Sequence, residues 1–386
     1  MDKVFFAGTH RVRQPQETLD IITPLFPRFG VTRLADVTGL DVLGIPVVMA
    51  VRPLATTLSV SQGKGASLLL AKVSGAMEAI EIWHAESAVP PAVLTGVPAA
   101  ELDIGYQVAD LDNGFHLVSE RTRLDWIQAR GAASGEPVLV PRQSVEMTWR
   151  ERDDWRNCLL SQDSNGLASG NTRAEALTHA LYEVIERDCT STVGDTPLAQ
   201  RVHIDPSTVD DSYCRELVER IDHAKAWLEI VYVPNRWSLP CFVSYVWHED
   251  LPACLGTGSG VHSDPAVALS RAITEAAQSR LTFISGTRDD LEPRVYQRSG
   301  ASFVRPATPG ERVAWKGVAG MYDLSFATDE AEATWLARKV ASLSGCEPMA
   351  ADLSVCDEIA VVKAVCPGLR FTGRHDIPRL EAEAAR

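Results

Sequence analysis

SNGLASGNTRAEALTHALYEVIERD, residues Ser164–Asp188, holds a glycine-containing run and then a helical phrase with two unlike faces. Asn171, Glu175, His179, Glu183 and then Glu186 with Arg187 follow one another at steps of four, four, four and three. Residues three or four apart share a helix face, so these form one polar stripe. Ala176, Leu177, Ala180, Leu181, Val184 and Ile185 make the apolar back. Asn171 suits the N-cap, with Arg173 and Glu175 in the first turn. Polar stripes usually face water. This one carries Glu175, Glu183 and Glu186 but no lysine, which is not the make-up of a salt-bridged, solvated face. The LASG run ahead of it would let backbone N–H groups come close to a ligand.

Working outward, the phrase occurs twice more. ASLLLAKVSGAMEAIE (Ala66–Glu81) and SDPAVALSRAITEAAQ (Ser263–Gln278) align without gaps on NTRAEALTHALYEVIE (Asn171–Glu186). Glu78 then stands opposite Glu183 and Glu275, and Glu81 opposite Glu186 and Gln278. Small residues align as well: Ala71, Ala176 and Ala268, then Gly75, Ala180 and Ala272. SQGKG (Ser61–Gly65), NGLASG (Asn165–Gly170) and GTGSG (Gly256–Gly260) precede the three copies. The spacing between copies is too wide and too uneven for a solenoid, so they read as related elements of one core. Gathered together, such helices converge five carboxylates and one amide, those of Glu78, Glu81, Glu183, Glu186, Glu275 and Gln278, on a single site. Carboxylates that dense need cations, and a polyphosphate with magnesium is the natural guest. Arg271 and Arg280 of the third copy, and Lys64 between two glycines, add phosphate-binding charge. GKG is not a Walker loop, because Leu58 and Gly65 stand where that loop needs Gly and Ser or Thr. GTGSG lacks the spacing of a dinucleotide fingerprint. His84, His179 and His262 near the repeats read as structural histidines.

Composition narrows the classes. With 386 residues the chain can bury a large core. A net charge of −14 argues against nucleic acid and against an anionic membrane surface. The eight cysteines include no CxxC pair, so they read as buried thiols of a reducing compartment, not as a local zinc site. MDKVFFAGTHRVR is not a secretory signal, and no apolar run is long enough to span a membrane. The expected location is cytoplasmic.

Element patterns predict a helix over Glu17–Leu25, stopped by Pro24 and Pro27, and a buried strand region over Asp41–Leu54. Strands are expected at Gly114–Glu120, Arg123–Arg130 and Pro137–Met147. Residues 200–249 read strand, helix, strand, strand. A loop-rich stretch over Gly286–Asp323 precedes a helix at Thr328–Ser344 and a strand within Asp357–Leu369. The last eleven residues are polar and read as a mobile end. Regular βαβ alternation is scarce, which favours α+β with mixed or antiparallel sheets.

With these residues assembled, the chain resembles the YcaO family. The resemblance rests on Ser164–Asp188, with SQGKGAS and SGAMEAIEIWHAE (Ser61–Glu86) and ALSRAITEAAQSRL (Ala268–Leu281) in support. Weaker likenesses are LDWIQARGAASGEPVLVP (Leu124–Pro141) and AVVKAVCPGL (Ala360–Leu369). It implies one composite YcaO-type catalytic domain over residues 1–386, its motif-bearing core at about 58–285, with no separate leader-binding domain. It implies ATP and Mg2+ as cofactors and a peptide backbone amide of a ribosomally made precursor as substrate. A nucleophile adds to the amide carbonyl, ATP phosphorylates the resulting oxygen, and phosphate leaves. A Cys, Ser or Thr side chain then gives an azoline, sulfide a thioamide, an amine an amidine.

Carried over by motif, Glu78, Glu81, Glu183 and Glu186 would bind magnesium. Asn171, Glu175, Arg187, Arg280, Lys64 and Arg11 would contact the nucleotide, with Glu275, Gln278 and Arg271 as further candidates. No residue is assigned a covalent catalytic role. The ending PRLEAEAAR lacks a PxPxP tail, and FAGTHRVRQPQETL (Phe6–Leu19) resembles the stand-alone or TfuA-partnered branch. The expected partners are a precursor peptide, a TfuA-like protein and a second copy of the chain. Azoline formation leads, ahead of thioamide and amidine formation. The competing classes are a non-catalytic peptide-binding scaffold and a small-molecule kinase.

Overall fold

The computed structural model describes residues 2–111, 118–148, 159–194, 196–197, 200–288, 305–307 and 310–370. Each repeat is a strand that runs straight into a helix. Val60–Lys64 leads into Leu68–Ser87, Leu167–Gly170 into Arg173–Thr190, and Leu255–Val261 into Pro265–Ser285. The helices open on caps at matching repeat positions: Ser67 accepts from the Leu70 N–H, Thr172 from the Glu175 N–H, and Asp264 from the Ala266 N–H. The cap of the second helix is thus Thr172 and not Asn171. Asn171 is buried, and its side chain instead bonds Glu175 and the Thr18 hydroxyl.

The glycine runs are strands, not ligand loops. A Cβ on Gly63 would lie 2.0 Å from the Gly75 nitrogen and 2.1 Å from the Ala71 oxygen. A Cβ on Gly258 would lie 2.3 Å from the Ala272 oxygen and 2.4 Å from the Ala276 nitrogen. The aligned small residues of the helices are therefore the other half of a close strand–helix contact. The close approach expected toward a ligand is made toward the helix backbone instead.

Each repeat strand is the last strand of its sheet. Arg33–Asp36 and Val47–Val51 precede Val60–Lys64 in a three-stranded sheet. Val202–Ile204, Trp227–Tyr232 and Cys241–Trp247 precede Leu255–Val261 in a four-stranded sheet. In the six-stranded sheet the order is Leu94–Pro98, Arg123–Gly131, Met349–Asp352, Ala360–Val365 and Leu167–Gly170, with Pro137–Pro141 on the side of Arg123–Gly131. Val4–Phe6 and Thr9–Arg11 form a hairpin. All these ladders are antiparallel. Helices cover the sheets, giving the expected α+β class. The second repeat helix packs on Asp329–Ser344, the third on Ser212–His223 and the first on Pro15–Ile22. No helix among the described residues is long and apolar enough to cross a membrane.

Several boundaries differ from the sequence reading. Pro24 and Pro27 do not simply stop the first helix. Pro15–Ile22 passes into a 3-10 turn at Thr23–Leu25 and a further turn at Phe26–Phe29, with each proline near the start of its piece. A proline there gives up an N–H that has no helical partner anyway. The strand of Asp41–Leu54 shrinks to Val47–Val51. The Gly114–Glu120 strand falls largely, and the polar C-terminal end wholly, outside the described residues. Cys189, Cys214, Cys241 and Cys254 are buried free thiols.

Candidate active site

The three repeats interlock in a ring. Each helix reaches the strand of the next repeat through the stripe position shared by Glu81, Glu186 and Gln278. Glu81 meets Ser169 in the second repeat strand, whose hydroxyl and N–H draw its carboxyl pKa down. Glu186 accepts from the Ser259 hydroxyl at 2.6 Å and the Val261 N–H at 3.2 Å in the third. Gln278 Nε2 donates to the Gln62 oxygen at 3.2 Å in the first. The glycine contacts seat each helix on its own strand, and these polar contacts pass it to the next. A cavity of about 800 Å3 results, lined by Glu78, Glu81, Glu183, Glu186 and Glu275 together with Gln278. The predicted convergence of five carboxylates and one amide is therefore what the tertiary structure builds.

The carboxylates are crowded. Burial pushes the Glu81 carboxyl well above its usual range, and Glu183 and Glu78 push the same way. Burial raises Glu183 to about 7 against the pull of Arg187, with Glu186 adding to the rise. Glu78 is raised by burial, against Lys64 and Arg288. Glu275 behaves oppositely. Burial alone would raise it, but Lys64, Arg187 and Arg271 outweigh burial and hold it below the usual range. Its Oε2 lies 2.6 Å from Lys64 Nζ. The negative corner is thus built by the first two helices, while Glu275 of the third is met by Lys64 of the first repeat strand.

This donor set fits a hard divalent cation. The oxygens are carboxylate oxygens, and the protons they hold back are those a cation would displace. Among the described residues no three His, Cys, Asp or Glu side chains stand close enough to chelate one ion. Magnesium commonly keeps several waters and takes one or two carboxylates plus substrate phosphates, so it needs no preformed cage.

A carboxyl whose folded pKa exceeds its unfolded value of 4.5 stabilises the fold below pH 4.5, and that contribution is lost as pH rises through about 7. Stabilisation by magnesium with a non-hydrolysable ATP analogue should therefore grow from pH 5.5 to pH 8, by several degrees in melting temperature. A pH-independent increment in differential scanning fluorimetry would contradict it.

The cavity also gathers Arg11, Lys64, Arg187, Arg271, Asn171, Glu175 and His179. Glu175 is nearly fully buried and accepts from the Val12 N–H at 3.0 Å and from Asn171 Nδ2 at 3.0 Å, while Arg11 Nε lies 3.7 Å away. These residues pin the N-terminal hairpin to the second repeat helix. Burial with Arg11 and Arg271 keeps the His179 imidazole well below its usual pKa. His84 is a core residue whose Nδ1 lies 2.7 Å from the Ile80 oxygen, and His262 stacks on Tyr182 at 4.9 Å.

Arg280 departs from expectation, because it does not line the cavity. It is fully buried, with Nε and Nη2 bonded to Asp41 at 3.1 and 3.0 Å and Nη2 to Asp250 at 3.2 Å. The third helix turns it toward the loop before Val47–Val51, so the nucleotide contact expected for it is replaced by a buried ion pair. Arg280→Lys should lower the melting temperature, by roughly 2 kcal/mol of stability, through loss of that fork. The KM for ATP should stay unchanged in the folded variant; a tenfold rise would restore the original assignment.

Sequence reasoning missed Arg13 and Arg288, which line the cavity, and Lys363 beneath it. Lys363 left a signal: one charge within the apolar run AVVKAV.

Known proteins resemble this chain in sequence and in fold. A family model described as YcaO cyclodehydratase, ATP- and Mg2+-binding, matches residues 62–370. An uncharacterised Mycobacterium tuberculosis protein is 38% identical over 388 residues, covering 97% of this chain and 86% of the relative. A Rhizobium leguminosarum bv. trifolii protein from the tfuA 3′ region is 37% identical over 301 residues, covering 75% of this chain and 70% of the relative. The structure of YcaO from Methanopyrus kandleri, bound with AMPPCP and Mg2+, superposes with a TM-score of 0.70 at 22% identity, covering 96% of this chain and 95% of that one.

Proposed function

The chain belongs to the YcaO family, whose members bind ATP and Mg2+ and act on peptide backbones, and from that premise we propose that it cyclodehydrates a Cys, Ser or Thr of a ribosomally made precursor peptide to an azoline. The carrying observation is the ring of three repeats that brings five carboxylates and their counter-charges to one cavity. Glu78, Glu81, Glu183 and Glu186 hold magnesium. Arg187, Lys64 and Arg11 meet the nucleotide, with Asn171 and Glu175 fixing the wall from which Arg11 projects. Arg271, with Glu275 and Gln278, closes the third side. Bound MgATP supplies the phosphoryl group with which the amide oxygen departs as phosphate. The chain's own part is to position and neutralise, which is what phosphoryl transfer asks of a protein. Residues 1–386 act as one catalytic unit in this reading, and a second copy of the chain completes a homodimer.

The Rhizobium relative comes from the tfuA 3′ region, which supports a TfuA-like partner. Thioamide formation from sulfide and amidine formation are the alternative products of the same amide activation. The test is mass spectrometry of a candidate precursor peptide with the protein, ATP and magnesium, with and without sulfide and a TfuA-type partner. Loss of one water supports cyclisation. Exchange of one oxygen for sulfur, only when sulfide is present, supports thioamidation. An unmodified peptide and intact ATP under every condition would overturn the enzymatic reading in favour of a peptide-binding scaffold.

Arg187→Lys separates binding from turnover. Arg187 sits in the fields of Glu183, Glu186 and Glu275. A lysine keeps the charge and loses the two-pronged grip, so the KM for ATP should rise roughly tenfold with a smaller change in kcat. An unchanged KM would remove Arg187 from the nucleotide contacts.

A further inference from the structure

Lys363 is 3% exposed and lies mid-strand in Ala360–Val365. Its ammonium donates to the Asp163 backbone oxygen at 2.6 Å. The Asp163 carboxylate stands farther off, at 3.7 Å, and is already bonded to the Ser161 hydroxyl and the Asn165 N–H. Among the described residues that is one close acceptor for three ammonium donors, which is sparse for a buried charge.

The register says what else Lys363 faces. Val361 pairs with Ser169 and Lys363 with Leu167, so Lys363 and Ser169 point to the same side of the sheet, one diagonal step apart. Ser169 is the residue of this strand that Glu81 meets. Lys363 also lies in the fields of both Glu183 and Glu81, and Glu183 in turn lies in the field of Lys363. A cation is thus built into the floor under the two carboxylates that burial and mutual repulsion disfavour most.

We infer that Lys363 is a positioning residue for the metal site: a resident counter-ion that holds Glu81 and Glu183 in place before magnesium arrives and weakens the grip on magnesium once it is bound. The inference rests on the magnesium-site reading above. A fixed positive charge repels an incoming divalent ion, so removing it tightens metal binding, whereas loss of a purely structural residue would loosen it.

Isothermal titration of the folded full chain with MgCl2 alone tests this without substrate or turnover. In Lys363→Met the Mg2+ dissociation constant should fall roughly tenfold. Lys363→Arg should leave it near that of the unaltered chain. Lys363→Gln, which keeps polarity in case the methionine variant fails to fold, should shift in the same direction as Lys363→Met. Unchanged or weaker Mg2+ binding in a folded charge-removing variant would overturn the role of Lys363 while leaving the carboxylate site intact. Where Mg2+ alone gives no saturable binding, the titration uses the Mg2+ complex of a non-hydrolysable ATP analogue on the same variants, and absence of binding by the unaltered chain there too would overturn the metal site itself, and this inference with it.

Discussion

Glu183→Gln should yield a protein that is more stable and nearly inactive. Glu183 is the carboxylate whose pKa rises to about 7, because burial and Glu186 outweigh Arg187. At pH 8 the metal-free protein holds that charge at a cost. An isosteric amide removes it, which should add on the order of 2 kcal/mol and raise the melting temperature by several degrees. Turnover needs the same charge. An amide is a poor ligand for magnesium beside phosphates, and loss of one electrostatic anchor typically costs about 10² to 10³ in kcat. Glu186→Gln should lose activity comparably but should not gain stability. Both oxygens of Glu186 accept protein hydrogen bonds, from Ser259 and Val261, and an amide nitrogen would face one of those donors. That mismatch costs about 1–3 kcal/mol. Melting curves and steady-state ATPase rates on the two variants decide the matter. Full activity in both would remove the metal assignment, and equal stability changes would contradict the electrostatic account.

Gly63→Ala should be among the most destabilising single-methyl additions in the chain. The added carbon would lie 2.0 Å from the Gly75 nitrogen and 2.1 Å from the Ala71 oxygen, both backbone atoms that no side-chain rotation can clear. The first repeat strand and helix would have to separate by about an ångström, and overpacking of that kind costs roughly 3 kcal/mol or more. Gly258→Ala should behave alike, since Ala272 and Ala276 offer backbone at 2.3 and 2.4 Å. Gly39→Ala is the control, because nothing lies within 4 Å of its Cβ position. Chemical denaturation should show both repeat variants shifted or unfolded and the control unchanged. A Gly63→Ala protein of normal stability would mean that the glycine runs do not seat the helices.

The repeats were legible because their information is local. Stripe and apolar back depend on residues within a turn or two. The cap of the second helix falls one residue later than the sequence suggests, at Thr172 instead of Asn171, because Asn and Thr are both favoured cap residues by type. Even the glycine runs were visible, but their purpose was not. A glycine reads the same in sequence whether a ligand or a helix comes close to it, and here the helix does. The short strands Leu94–Pro98 and Met349–Asp352 escaped notice because they are held by partners distant in the chain.

By itself, then, the sequence determined the helices, their acid faces and the family. It could do so because periodicity and capping are set by neighbours a few positions away. Tertiary structure alone decided that Glu81, Glu186 and Gln278 each reach into the next repeat, and that Lys363 lies beneath the acids. It also decided that Arg280 faces away from the cavity, toward Asp41 at a separation of 239 residues. The charge on each of these groups is local, but its partner is chosen by packing, and packing couples residues that no sequence period connects.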